Sequence, residues 1–365
     1  MRLDPPIRLR LREIHGLDRL IALLGVSVFG AAVLTVAAPH GSPTAAPVVR
    51  SAGAATVGQL PASRQRLVVR TERTVVHAAP RQVIARPAAA PVRRAKPTPT
   101  RVVRYVPSGT GMWIYQWHHT DGGSAADIVA RAKRVGLSTL YVRTGSSWDG
   151  FTADRTLPVL LRATRGSNLS VVTWDFPRLK RPARDARRLA HAAWVGRAHN
   201  GAHVAAVAPD IETPAEGTFN AAWRVRLYLH VLRKHLPAGV TILSTVPWPS
   251  SYRRTDYPYR TIAAHSDVLV PMAYWYNNPP GLVTARSISY LRQFHKPVAP
   301  VGQGYDGKLD VPSLRHNNLA REVPVFLRTA ARAHVRAVSI WSWQSAPRAT
   351  WRALARAHGL FTPRR

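Results

Sequence analysis

The chain has 365 residues, 46% of them hydrophobic, with 52 Lys+Arg against 18 Asp+Glu for a formal charge of +34 and no cysteine. The missing cysteine excludes disulfides, thiolate zinc sites and a cysteine nucleophile. The positive charge fits either a solvated, Arg-rich surface or attraction to a polyanion such as an anionic cell-wall polymer. No nucleic-acid-binding motif accompanies it, which ranks nucleic acid lowest among partners.

Residues 1–38 read as an address. Arg2, Arg8, Arg10, Arg12 and Arg19 precede the uncharged apolar run Leu20–Ala38. As a helix this run spans about 28 Å, close to the thickness of a hydrocarbon core. The flanking arginines predict a cytoplasmic N-terminus with the remainder crossing. Val36-Ala37-Ala38 offers small residues of signal-peptidase type, so a membrane anchor and a cleaved signal segment both stay open; either makes the rest extracytoplasmic. Residues 39–110 carry 12 basic residues and one acid among abundant Pro and Ala, with no sustained period. That is the composition of a disordered, self-repelling linker.

From Gly111 to Arg365 short β-rich runs alternate with amphipathic segments. The expected strands are Met112–Trp117, Thr139–Arg143, Ser170–Asp175, Val204–Glu212, Thr241–Val246, Val268–Tyr274, Pro297–Gln303 and Ala337–Trp343. Ser124–Val135 opens on a cap residue and stops at Gly136, the pattern of a helix. Further helices are expected over Pro182–His199, Ile288–Phe294, Val323–Ala333 and Pro347–Ala357, and over Asn220–Leu236 with Trp223, Leu227, Val231 and Leu232 on one face. Eight strand–helix units in residues 111–365 match an α/β fold of the (β/α)8 TIM-barrel type. A doubly wound sheet is disfavoured, because the first strand runs into Trp117-His118-His119 rather than a Gly-rich phosphate turn.

Such barrels collect their chemistry at the C-terminal ends of the strands. Those ends supply Trp117, Arg143, Trp174, Asp175, Trp248, Trp275, Gln303, Tyr305, Asp306, Trp341 and Trp343 as candidate substrate-binding residues. Aromatic faces interleaved with amides and carboxylates suit a carbohydrate, while Trp as barrel filling is the alternative. The fourth strand is the sharpest feature: Asp210 and Glu212 flank Ile211, so strand alternation puts both carboxylates on one face with Cα atoms roughly 6.5–7 Å apart. Paired carboxylates in a sheltered pocket cannot both ionise freely, and a raised carboxyl is what a general acid requires. His118-His119 beside Asp121 lacks helical spacing and a third ligand, so no metal or other cofactor is expected. The Arg178-Leu179-Lys180-Arg181 cluster is either a solvated face or a steering patch for anionic substrate, and Ser147–Phe151 reads as a turn able to form a lid.

Asp210-Ile211-Glu212, Met272-Ala273-Tyr274 on the sixth strand and Trp341 or Trp343 on the eighth together resemble the glycoside hydrolase family 18 (chitinase-like) barrels. The resemblance implies Glu212 as general acid, Asp210 as its partner orienting an N-acetyl group, and Tyr274 as a hydrogen-bond donor. It further implies attack by the substrate's own acetamido oxygen. The sequence departs from that family at Ala205 and Ala208, where it carries aspartates, and at Trp275, where an acid is expected. The function expected from these features is extracytoplasmic hydrolysis of a cell-envelope or extracellular polysaccharide, an N-acetylated one among the candidates. The alternatives are a catalytically silent carbohydrate- or wall-binding barrel and a structural envelope protein held by its basic linker.

Overall fold

The computed structural model describes residues 104–197 and 203–361. One sheet contains nine strands: β1 (Gly109–Ile114), β2 (Thr139–Ser146), β3 (Gly150–Phe151), β4 (Ser170–Phe176), β5 (Ala206–Pro209), β6 (Thr241–Pro247), β7 (Val268–Ala273), β8 (Val301–Gln303) and β9 (Ala337–Trp341). All are parallel to their neighbours except the two-residue β3, which folds back on the end of β2. Because β1 pairs with both β2 and β9, the eight long strands close into a barrel. The surrounding helices are α1 (Ala125–Val135), α2 (Thr156–Ala163), α3 (Pro182–Arg197), α4 (Ala222–His235), α5 (Arg253–Asp256), α6 (Tyr259–His265), α7 (Pro280–Arg292), α8 (Leu319–Arg332) and α9 (Arg348–Arg356).

Local signals explain the clearest elements. Ser124 accepts a hydrogen bond from the Asp127 N–H to start α1, and Gly136 ends it at φ 77°, a left-handed turn that glycine adopts without penalty. Strand alternation then divides the apolar residues into two sets. Trp113, Tyr141, Trp174, Ala208, Leu243 and Met272 point into the lumen, whereas Ile114, Val142, Val207, Val246 and Ile340 pack under the helices.

Helix faces were harder to read. In α4 the buried residues are Val225, Tyr228, Leu229 and Leu232, an i, i+3, i+4, i+7 set. Trp223 is 53% and Leu227 40% exposed, so the face expected around them is turned to solvent. α7 begins at Pro280, well before the expected Ile288, and α2 and α6 were not anticipated because each is only a few turns long.

The chain joins the barrel earlier than its composition suggests. Arg104 pairs with Asp267, Tyr105 Oη lies 3.0 Å from Thr139 Oγ1, and the Tyr105 carbonyl accepts from Thr241 Oγ1 at 2.7 Å. Residues 104–110, expected as linker, therefore seal the N-terminal end of the barrel. The expected span Leu20–Ala38 and the linker up to residue 103 lie outside the described residues. Among the described residues no helix is long and apolar enough to cross a membrane.

Candidate active site

β5 carries the two carboxylates into the mouth. Its regular pairing ends at Pro209, yet the extended geometry continues: the Asp210 N–H donates to the Asp175 carbonyl at 3.0 Å and the Ile211 N–H to the Thr245 carbonyl at 3.1 Å. Asp210 and Glu212 thus keep the parity of Ala206 and Ala208, which face the lumen, while Ile211 keeps that of Val207 and is buried beneath the helices. Asp210 is buried and Glu212 half-buried.

Beneath them the lumen is filled with aromatic rings. Trp113 stacks on Tyr141 at 4.4 Å, and Trp174 meets Trp113 edge-on at 5.7 Å and Trp341 at 5.3 Å. Trp174 stands opposite Ala208 in the β4–β5 register. A small residue there leaves room for the indole, so the position where chitinase-like barrels carry an aspartate is committed to a hydrophobic floor. Tyr115 and Trp341 lie above it, 5.9 Å apart, and Arg143 approaches Tyr115 at 5.0 Å and Trp174 at 5.9 Å.

Burial dominates the electrostatics here. Burial, reinforced by the Glu216 and Asp175 carboxylates and opposed by Arg143, pushes the Asp210 carboxyl up to about 7. Its Oδ1 is buried with no hydrogen-bond partner among the described residues, which further disfavours the charged form. Burial also lifts Glu212 well above the usual carboxylate range, with Asp210 and Glu216 adding to the effect and Arg253 opposing it. Tyr274 is raised by burial and then by both carboxylates, which marks its phenol as their neighbour and keeps it a proton donor. The arrangement therefore holds protons near neutral pH beside an aromatic surface, the requirement for general acid catalysis.

A stability consequence follows with a definite sign. An unfolded chain ionises Asp210 near its ordinary value of 3.8, whereas the folded chain keeps the proton to about 7. Stability is therefore lost as pH rises between these values. Asp210→Asn should raise Tm at pH 8 by roughly 5 °C or more and leave it nearly unchanged at pH 4. A Tm difference independent of pH, measured by calorimetry, would count against the buried proton.

The other expected residues divide between mouth and shell. Tyr274 and Arg143 act electrostatically on the carboxylates, and Trp174 and Trp341 belong to the aromatic cluster of the lumen. Asp175 turns outward and is fully buried, gripped by Arg188 of α3 through two 2.7 Å hydrogen bonds. Trp275 is also fully buried beneath the helices, its indole N–H donated to Glu322 at 2.9 Å. Trp343 packs edge-on against Trp351 at 4.8 Å, and Trp117 and Trp248 lie half-buried against the same outer layer. These five residues follow the helix-facing parity or lie in loops beyond the strands.

Gln303, Tyr305 and Asp306 brace the rim. Gln303 accepts from the Tyr276 N–H at 2.8 Å and donates to the Tyr305 carbonyl at 3.0 Å. Asp306 caps the short turn Gly307–Leu309; although burial opposes it, hydrogen bonds from His316 and from the Asn317 and Lys308 N–H groups hold its carboxyl below the usual range. Tyr305 leads to a residue that sequence reasoning missed. Its hydroxyl and that of Tyr276 both donate to Asp310, the latter at 3.1 Å, and Asp310 is raised by burial despite these bonds. Glu216 and Arg253 were also missed. All three lie beyond the strand ends in short connecting segments, Arg253 at the start of the four-residue α5, where strand periodicity gives no signal.

No protein-family model matches the sequence, and no curated protein matches it. Solved structures do. A GH99 endo-α-mannosidase from Bacteroides thetaiotaomicron superposes with a TM-score of 0.52 at 11% identity, covering 70% of this chain and 97% of that one. The endo-β-1,4-mannanase from Thermotoga petrophila gives 0.51 at 8% identity over 70% and 77%. A class V chitinase from Pseudomonas fluorescens Pf-5 gives 0.48 at 12% identity over 69% and 99%. At these identities the likeness is one of fold. The described domain has the TIM-barrel fold that these glycosidases share.

Proposed function

We propose that the protein is a glycoside hydrolase in which Glu212 is the general acid, Asp210 its proton-sharing partner and Tyr274 a hydrogen-bond donor to the substrate. The observation that carries this reading is the projection of Asp210 and Glu212 into the barrel mouth, over an aromatic floor that keeps protons on them. Protonation of the glycosidic oxygen by Glu212 would release the alcohol as the C–O bond breaks; water would supply the hydroxyl to the anomeric carbon and return its proton to the carboxylate pair, while Trp341 and Tyr115 offer rings to the sugar's C–H face. Asp210, sharing a proton with Glu212, would become more acidic or more basic as its partner changes charge, which is how a carboxylate pair assists both halves of a hydrolysis.

The reading includes an extracytoplasmic barrel acting on an envelope or extracellular polysaccharide, carried by the apolar run Leu20–Ala38 and spaced by the basic stretch after it. Its support is the sequence of those segments. The test is release of reducing ends from a panel of envelope and extracellular polysaccharides by the wild-type chain and by Glu212→Gln. Turnover by the wild type alone supports the proposal. Equal turnover by both proteins removes Glu212 from the chemistry, and binding without turnover by either leaves a carbohydrate-binding barrel.

A further inference from the structure

Three of the exposed aromatic side chains lie together on the rim: Trp148 at 51%, Phe219 at 45% and Trp223 at 53% exposed. They come from different segments, the turn between β2 and β3, the loop after β5 and the first turn of α4. Two arginines fill the gaps between them. The Arg178 guanidinium lies 5.0 Å from the Trp148 ring and 5.9 Å from Phe219. That of Arg224 lies 5.7 Å from Phe219 and 4.4 Å from Trp223. The result is an alternating row, Trp148, Arg178, Phe219, Arg224, Trp223.

The row is built rather than incidental. Arg178 Nε donates to the Gly217 carbonyl at 3.1 Å, and Gly217 turns the loop at φ 82°, a left-handed conformation that favours glycine. Arg224 Nη1 donates to the Leu179 and Lys180 carbonyls at 3.0 and 3.1 Å. Both cations are thus fixed by neutral carbonyls, and neither has a carboxylate partner among the described residues. Arg188 and Arg143, by contrast, are paired with Asp175 and Asp149. A guanidinium held in place with its charge uncompensated is poised for an external anion.

The row also runs to the mouth. Its first member, Trp148, shares a turn with Asp149, which accepts from Arg143 at 2.7 Å and from Ser146 at 2.8 Å, and the Arg143 guanidinium lies 5.0 Å from the Tyr115 ring in the mouth. We infer that this row is an extended subsite for an anionic polysaccharide, with sugar faces against Trp148, Phe219 and Trp223 and substituent carboxylates or phosphates on Arg178 and Arg224. The inference deepens the hydrolase reading and rests on it for the direction of the chain toward the carboxylates. Aromatic–arginine rows also stack single-stranded nucleic acid. Continuity with the carboxylate-bearing mouth favours the glycan.

The test measures binding of the full-length chain, in the Glu212→Gln background so that polymer is not consumed. The immobilised probes are polygalacturonate, a glycerol-phosphate teichoic polymer, neutral dextran and single-stranded poly(dT). Arg178→Gln/Arg224→Gln should weaken binding to the anionic polysaccharides about tenfold. Arg321→Gln/Arg328→Gln, an equal charge change on the exposed side of α8, should change it by less than about twofold. Trp148→Ala/Trp223→Ala, which keeps the charge, should also lose several-fold, with dextran weak throughout and Tm unchanged in each variant. Tighter binding of polygalacturonate or of the teichoic polymer identifies carboxylate or phosphate as the anion read.

Equal losses in the two arginine pairs, or no loss in the tryptophan pair, overturn the subsite. So does a stronger, row-dependent affinity for poly(dT) than for either polysaccharide. The two readings fail separately: row-dependent binding without Glu212-dependent turnover defeats the hydrolase proposal alone, and the converse defeats the subsite alone.

Discussion

Glu212→Gln is expected to lower kcat by about 10²–10⁴-fold on a natural polysaccharide while leaving polymer affinity nearly unchanged. Glutamine preserves the size and neutral form of a protonated glutamic acid, so the fold and the encounter with substrate should survive. What it removes is the proton that must reach the glycosidic oxygen as the bond breaks. The leaving group therefore gives a sharper signature than the loss alone. An aryl glycoside whose phenol leaves unaided should be cleaved by the variant with a much smaller defect, because no proton is required for its departure. A uniform loss across leaving groups, measured by steady-state kinetics, would mean that Glu212 positions substrate rather than protonating it.

The second large effect concerns the support beneath the site. Asp175 lies fully buried on β4, one strand from Asp210, and Arg188 makes two 2.7 Å hydrogen bonds to it and a third at 2.9 Å to Asp185. Asp185 in turn accepts from Ser147 at 2.8 Å and from the Leu179 N–H at 3.0 Å, so the cluster ties α3 to the loops after β2 and β4. Arg188→Met should cost about 3–5 kcal/mol in urea denaturation, because it strands a buried charge. Burial already raises the Asp175 carboxyl against the pull of Arg188, and without the guanidinium it rises further. The deficit should then shrink as pH falls from the raised folded value toward the ordinary aspartate value, below which folded and unfolded chains alike carry the proton. Adding Asp175→Leu should recover much of the loss, since a matched apolar pair avoids the desolvation cost altogether. A loss below about 1 kcal/mol would show that water reaches Asp175.

The barrel was legible because two signals coincide along the sequence: apolar runs of strand length, and cap residues such as Ser124 and Gly136 between them. The same parity located the carboxylate pair, since Asp210 and Glu212 sit two and four residues beyond Ala208. Parity applied to the other strand ends separates Trp174 from Asp175 and Tyr274 from Trp275, and only the first of each pair faces the lumen; Trp343 shares the parity of Trp341 but lies past the end of β9, where it packs against Trp351. Treating both members as substrate contacts overlooked that the outer face of a barrel strand is also buried, and equally hospitable to tryptophan. The loop residues had no such rule. Asp306 and Asp310 are alike in the sequence, yet Asp306 turns to His316 and the backbone of its own loop, while Asp310 receives the phenols of Tyr276 and Tyr305. Those contacts join the segments after β7 and β8, a tertiary arrangement that strand periodicity does not encode.

Ala208 shows a departure from the resemblance explained by packing. Trp174 occupies the space beside it, and burial in this packed mouth lifts Asp210 and Glu212. An aspartate at that position would compete with the indole for the same volume and add a third carboxylate beneath the pair. The chain thus raises its carboxyls chiefly through burial over aromatic rings.

That a proton resides on the Asp210–Glu212 pair near neutral pH is the claim on which the chemistry depends. Difference infrared spectra of the wild type against Asp210→Asn and against Glu212→Gln, recorded from pH 4 to pH 9, read the protonated carboxyl stretch of the pair directly. The expected result is a carboxylic-acid band that persists at pH 6 and is lost only around pH 7 and above. Loss of that band in both difference spectra below pH 5, the range of ordinary carboxylates, would contradict it.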